Sequence, residues 1–336
     1  MKNLKKLPLI LSILSLASFI TPVNADVKVV ASIKPLHSLA SYLMDGVGKP
    51  DLIVEGYGSP HGFSMKPSHA KILQNADLIF WVGEDLEIFL EKPLSSIAKK
   101  AEKIELMEIK GLNVLKFRER NIFDKHDHDD HDDHGKKEDD HDDHEHDDHG
   151  KKEEHADHDD HDGHEGHAHG EYDPHIWLDP MNAKVILNKM VEHLIENDAK
   201  NASKYKSNLK NAFKDIDKLT ADVKADLSKS TASIVFHDAY QYFEERFDIN
   251  ILGAFTVNTD VMPGAEQLSE IREIIEHDKV SCIFSEPQFN PDIINAVAKD
   301  MDIKTGILDP LGATLNPGKN LYFDLIRNMS DSFKGC

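Results

Sequence analysis

Residues 126–169 hold 14 of the chain's 21 histidines: His126, His128, His131, His134, His141, His144, His146, His149, His155, His158, His161, His164, His167 and His169. The octet HDDHGKKE occurs twice, at 131–138 and 146–153, and no Val, Ile, Leu, Phe, Tyr or Trp interrupts the run. Such a stretch cannot bury enough apolar surface to offset roughly 1–2 kcal/mol per residue of backbone ordering entropy. Any fold of this chain must therefore carry it as an insert, expected to be disordered, and build its cores from what lies on either side. Its chemistry is that of a cation sponge. Neutral imidazoles are borderline-soft metal ligands, and the interleaved carboxylates attract cations by charge. A merely solvated acidic linker would need only Asp, Glu and Lys, so the recurring imidazoles argue for metal.

At 336 residues the chain is long enough for two cores. Most of its net charge of −22 falls in 124–171, where 22 Asp and Glu face 5 Lys. Outside that stretch the protein is only mildly acidic. No basic stripe is offered to nucleic acid, so cations are the expected partners.

Residues 1–25 have the pattern of an export signal: Lys2, Lys5 and Lys6, then an apolar core at 7–20, then small Val23 and Ala25 before a cut at Asp26. A membrane anchor is the competing reading, but the apolar core is short and no later stretch approaches ~18 apolar residues. No Cys lies near the cut to take a lipid. The mature chain is thus expected in the periplasm, an oxidising compartment. Cys282 and Cys336, the only two cysteines, suit a disulfide there. The bond would close a loop of about 55 residues and, by chain entropy, add roughly 4 kcal/mol. The alternative is two thiolate ligands, but Cys336 ends the chain, where a precise site is hard to hold.

The rest of the sequence alternates short β-branched runs with helical stretches. Strands are expected at 27–32, 51–54, 78–82 and 103–107, with helices from Pro35 and from Pro67 between them. After the insert come a helix at 181–196 and a longer one at 201–228. In the longer one Tyr205, Leu209, Phe213, Ile216, Leu219, Val223 and Leu227 recur every three or four residues. It would run about 40 Å at 1.5 Å per residue, the length of a spine between two lobes. Strands then follow at 232–236, 249–255, 280–284 and 303–308, with helices at 240–247, 267–277, 291–300 and 323–333. This is the signature of parallel βαβ units. The expected fold is α/β: two Rossmann-like lobes, each a parallel sheet flanked by helices, joined by a long rigid helix. The division is 26–200 (with the insert 124–171), 201–228 and 229–336.

Ligands in open α/β sheets bind beyond the carboxyl ends of the strands. His61 lies in the loop after 51–54, His237 directly after 232–236, Glu286 just beyond 280–284, and Asp309 after 303–308. Two facing lobes would bring these ends across one cleft, with His175, between Pro174 and an apolar triplet, as the third imidazole. Glu286, Asp309 and Asp238 also read as helix N-caps or as carboxylates that orient an imidazole. His37, His69, His193 and His277 fall within or beside helices and read as ordinary polar residues.

Seven short motifs carry a resemblance: GSPHGFSMKPS at 58–68, QNAD at 74–77, WVGE at 81–84, DPHIWL at 173–178, FHDAY at 236–240, FSEPQ at 284–288 and LDPLG at 308–312. In that order and spacing the chain resembles the periplasmic zinc-binding proteins of the ZnuA type, which feed ABC importers. The resemblance covers 26–336, including a charged His-rich insert in the same place. It implies two lobes with metal in the cleft, His61, His175 and His237 as zinc imidazoles, and a membrane permease as partner. Relatives that carry manganese or iron have a carboxylate at the position of His237, and an Asp matching Asp309 completes their site. Some zinc members have Glu immediately before the first histidine, where this chain has Pro60. The fourth position is therefore open to Asp309, a water or a histidine of the insert. Three imidazoles and one oxygen suit tetrahedral Zn²⁺, although copper(II) would also bind such a set tightly.

The expected function is a monomeric, non-enzymatic zinc-binding component of an ABC uptake system. A zinc hydrolase, with Glu286 or Asp309 as base, is one rival, though no HExxH occurs. A transporter-independent zinc buffer or chaperone is the other.

Overall fold

The computed structural model describes residues 27–118, 120–123, 170–227, 231–257, 259 and 261–336. The expected export signal at 1–25 and all 14 insert histidines lie outside the described residues. Two four-stranded parallel sheets organise the rest.

The first sheet holds β1 (Val29–Ala31), β2 (Asp51–Leu52), β3 (Leu78–Trp81) and β4 (Glu102–Glu105), in the order β2-β1-β3-β4. Its crossover helices are α1 (Lys34–Leu43), α2 (Pro67–Asn75) and α3 (Glu84–Ser96). After the insert, α4 (Pro180–Asn197) leads into α5 (Ala202–Asp226). The second sheet holds β5 (Ser233–His237), β6 (Ile251–Thr256), β7 (Cys282–Ser285) and β8 (Lys304–Ile307), in the order β6-β5-β7-β8. Its helices are α6 (Gln241–Phe247), α7 (Ala265–His277), α8 (Asp292–Met301) and α9 (Leu321–Lys334).

Alternation along each strand decides which core a side chain joins. Val29, Ala31, Leu78 and Phe80 point into one large core, while Val30, Ile79 and Trp81 point to a separate cluster on the sheet's other face. The second sheet repeats the division, with Val235, Cys282 and Phe284 in the large core and Ile234, Phe236 and Ile283 outside it. The inner faces of both sheets thus contribute to one continuous apolar mass.

α5 supplies part of that mass and links the lobes, lying against α1, α4 and α9. Its buried stripe is Tyr205, Asn208, Ala212, Ile216, Leu219 and Val223. Leu209 and Phe213, expected on the stripe, sit at its margin and are only partly buried. Asn208 takes the central place because its Nδ2 donates to the carbonyls of Leu43 (2.7 Å) and Asp45 (2.9 Å) at the end of α1. A buried amide so bonded costs little, and it satisfies helix-end carbonyls that would otherwise be orphaned. α9 crosses back from the second lobe onto α1, where Tyr322 N donates to Ser38 Oγ. The Cys282–Cys336 disulfide ties β7 to the residue just past α9.

A second link runs through residues 115–123. Leu115 N donates to Tyr242 Oη, and Arg118 pairs with Asp238 (3.1 Å) and Glu244 (2.7 Å) of the other lobe. Beyond it, Asn121 Nδ2 donates to Phe255 O, Ala254 N donates to Asn121 O, and Phe123 N donates to Leu252 O, so the segment lies along the free edge of β6. Gly253 permits this: a Cβ there would stand 2.7 Å from Asn121 O. After the insert the chain returns beside the same segment, with Phe117 N donating to Glu171 O and Asp173 N to Leu115 O.

Candidate metal centre

His61, His175 and His237 converge from three parts of the chain. His61 follows β2 in the loop that ends at α2. His175 precedes a 3-10 turn, Ile176–Leu178, that enters α4, and His237 is the last residue of β5. One ring nitrogen from each lies within 4.8 Å of the others. Ring centroids are 5.6 Å apart for His61 and His175, 5.7 Å for His61 and His237, and 5.3 Å for His175 and His237. His175 and His237 are buried, and His61 is partly exposed.

Carboxylates behind the two buried rings fix how they point. His175 Nδ1 donates to Asp173 Oδ1 at 2.7 Å, and the same oxygen accepts from His175 N. His237 Nδ1 donates to Glu286 Oε1 at 2.6 Å, which also accepts from Tyr240 Oη at 2.9 Å. With both Nδ1 atoms used as donors, each Nε2 carries a lone pair. The two Nε2 atoms face each other at 3.4 Å. Two lone pairs so placed repel unless a proton or a metal ion lies between them. For a tetrahedral ion with bonds of about 2.0–2.1 Å, neighbouring nitrogens stand about 3.4 Å apart.

The surroundings favour the metal over the proton at one ring. Burial, with repulsion from His237, holds His175 well below the ordinary imidazole range. At His237 burial acts the same way but is outweighed by the charge and hydrogen bond of Glu286, so the net shift is upward. Asp173 is pushed up to about 7 by burial, and Asp238 likewise. Asp173 Oδ2 and Glu286 Oε2 are buried without a hydrogen-bond partner. A dication on the rings would offset that buried negative charge.

The other expected residues are placed as follows. Asp309 does not join the three rings among the described residues. Its Oδ1 accepts from Gln288 Nε2 and Leu311 N, and its Oδ2 from Thr314 N and Oγ1, which folds the loop after β8 on itself. Glu286 takes the orienting role among those the sequence left open, and Asp238 pairs with Arg118. His37 Nε2 lies 3.1 Å from Pro50 O, and His69 Nδ1 accepts from Lys66 N at the start of α2. Asp173 is the residue that sequence reasoning missed. Its signal was present in the spacing Asp173-Pro174-His175, which lets one carboxylate reach both the backbone and the ring of a residue two places on. Ser59, Pro60, Trp177, Gln288, Phe289 and Leu311 close the space on one side of the rings, and Asp85, Gly170, Tyr172 and Thr259 border the other.

Two parallel α/β lobes with imidazoles from both, converging at the strand ends, define a cleft-type metal-binding protein. The chain belongs to the family of periplasmic zinc-uptake complex component A, ZnuA, which matches over residues 29–336. The "High-affinity zinc uptake system protein ZnuA" of Brucella abortus (strain 2308) is 46% identical over 310 residues, covering 92% of this chain and 91% of that protein. A crystal structure of ZnuA aligns with a TM-score of 0.68 at 18% identity, over 92% of this chain and 99% of the other. A Mn-bound periplasmic metal-binding protein from Candidatus Liberibacter asiaticus aligns equally well (0.68, 18%), over 92% and 98%.

Proposed function

We propose that this chain is the zinc-capturing component of an ABC-type uptake system, holding one Zn²⁺ between its lobes and delivering it to a membrane permease. The observation that carries this reading is the facing pair of Nε2 atoms, 3.4 Å apart and each locked by a carboxylate on the far side of its ring. A ring nitrogen of His61 completes three nitrogen donors, a set that suits Zn²⁺ better than Mn²⁺, which prefers oxygen. The name carried by the Brucella abortus relative points to the same ion. The fourth position falls to a water or to an insert histidine, since the Asp309 carboxylate is occupied by its own loop. The weaker zinc sites are assigned to the 14 insert histidines.

In this reading the mature chain is a periplasmic monomer divided at 26–200, 201–228 and 229–336, and it binds rather than catalyses. Both carboxylates offered as a hydrolytic base are engaged elsewhere, Glu286 with His237 and Tyr240, and Asp309 with residues 311 and 314.

Calorimetric titration of the metal-free protein with Zn²⁺, Mn²⁺ and Cu²⁺ tests the proposal. One tight zinc site with weak manganese binding is expected. Tighter manganese than zinc would overturn it. Growth of a deletion strain in zinc-depleted medium separates transport from buffering, because only an uptake component is required there.

A further inference from the structure

A second set of donors meets at the opposite end of the first sheet from the histidine triad. His193 and Glu196 stand three residues apart on α4, and so on one face of the helix, and Glu102 opens β4. One ligand atom from each lies within 4.8 Å of the others. His193 Nδ1 is 2.7 Å from Glu102 Oε1 and 3.5 Å from Glu196 Oε2. The imidazole is largely covered, at 13% exposed, whereas the two carboxylates reach solvent.

Two features set this group apart from a plain ion pair. Both ring nitrogens of His193 are shut off from solvent, and neither has a hydrogen-bond partner. At 2.7 Å, a carboxylate oxygen in line with the Nδ1–H would make a short hydrogen bond. The Glu102 oxygen stands at that distance, yet neither ring nitrogen makes a hydrogen bond. Two donors to one Zn²⁺ stand farther apart than this, about 3 Å or more, so an ion entering here would part Nδ1 and Oε1 by several tenths of an ångström. The second feature is that Glu102 is held in place: Asn197 Nδ2 donates to its Oε2 at 2.9 Å, leaving Oε1 turned toward the imidazole.

We propose that Glu102, His193 and Glu196 form a second site for a zinc-class divalent cation, separate from both the triad and the insert. One imidazole and two carboxylates with open positions for water make a mixed nitrogen–oxygen set that Zn²⁺ accepts. The site lies at the C-terminal end of α4, where the exposed carbonyls favour a cation. Glu102 pairs in register with Leu78, the first residue of β3, so the ion would fasten the last turn of α4 to the starting edge of the sheet. With two exposed carboxylates this site is weaker than the triad. It does not depend on the transport reading.

The test uses full-length protein and Zn²⁺ alone. Anomalous diffraction at the zinc edge is expected to show an ion bonded to all three residues. Hydrogen–deuterium exchange over 191–198 should slow as zinc is added. That protection should vanish in His193→Ala and need at least tenfold more zinc in Glu102→Gln, with the triad ion retained in both. Glu102 is exposed, so its variant keeps the test valid if His193→Ala misfolds. An ion at the triad with none here, and exchange indifferent to zinc, overturns the proposal. So does an ion completed only by a neighbouring molecule in the crystal. An ion here with the triad empty would overturn the transport reading instead.

Discussion

The facing Nε2 atoms of His175 and His237 place two buried donors 3.4 Å apart, an arrangement that a proton or a metal ion between them must relieve. Removing any one imidazole, as in His61→Ala, His175→Ala or His237→Ala, should weaken tight zinc binding by orders of magnitude while far-UV circular dichroism stays unchanged. A variant that still binds tightly would remove that residue from the site. Asp173→Asn and Glu286→Gln leave the rings but loosen their aim, and losses of 10–100-fold are expected in the same titration. A different buried acid sets a pH dependence. Glu87 is fully buried, with Oε2 accepting from Val82 N, and burial pushes its carboxyl up to about 7. The folded state therefore holds the proton more tightly than the unfolded chain, and stability falls as pH rises from about 4.5 to about 7. Glu87→Gln should remove that component. The wild type's stability relative to the variant should drop by roughly 3 kcal/mol across this window and then level off, as read by urea unfolding. A difference independent of pH would refute the assignment.

Segment 115–123 shows best what the sequence could and could not tell. Alternating β-branched runs and helical stretches gave all eight strands found among the described residues, because each such pattern is local. The edge pairing of 121–123 with β6 leaves no local trace, since it depends on residues more than 120 positions away. Arg118 was invisible for the same reason, while His61, His175 and His237 were legible from their places after strands or between apolar residues. Asp309 stayed undecided in the sequence because a carboxylate after a strand looks alike whether it binds metal or folds its own loop. The expected strand at 51–54 shortens to Asp51–Leu52, although Ile53 and Val54 still donate to Ala31 and Ser32. Arg118 offers a test of this second link. Asp238 and Glu244 are largely buried, so Arg118→Met should cost about 3–5 kcal/mol by leaving their charge unpaired. Hydrogen exchange should quicken at 121–123 and 251–255 together. Quickening at only one of these would show that they do not form one unit. Loss of the Cys282–Cys336 bond should cost roughly 4 kcal/mol, measured by chemical unfolding under reducing and oxidising conditions.

Taken as one object, the protein places its His-rich insert between two anchors. Phe123 is held on the edge of the second sheet, and Gly170 borders the space beside the three rings. The insert thus departs from one lobe and returns at the metal centre, which keeps its last histidines, His167 and His169, within a few residues of the triad in sequence. A donor tethered so closely acts at high effective concentration even when its own affinity is low. Deleting 124–170 should leave one tight zinc ion, because His61, His175 and His237 lie outside the deletion, and should abolish the weaker ones. In the full chain, those weaker ions should leave first as pH falls through about 6.5, where unconstrained imidazoles protonate. The tight ion should persist lower, since burial keeps His175 well below that range and free to donate. Zinc stoichiometry by calorimetry, on full-length and deleted protein at pH values above and below 6.5, reads all of this. If the deletion takes the tight ion with it, a histidine of the insert is the fourth ligand.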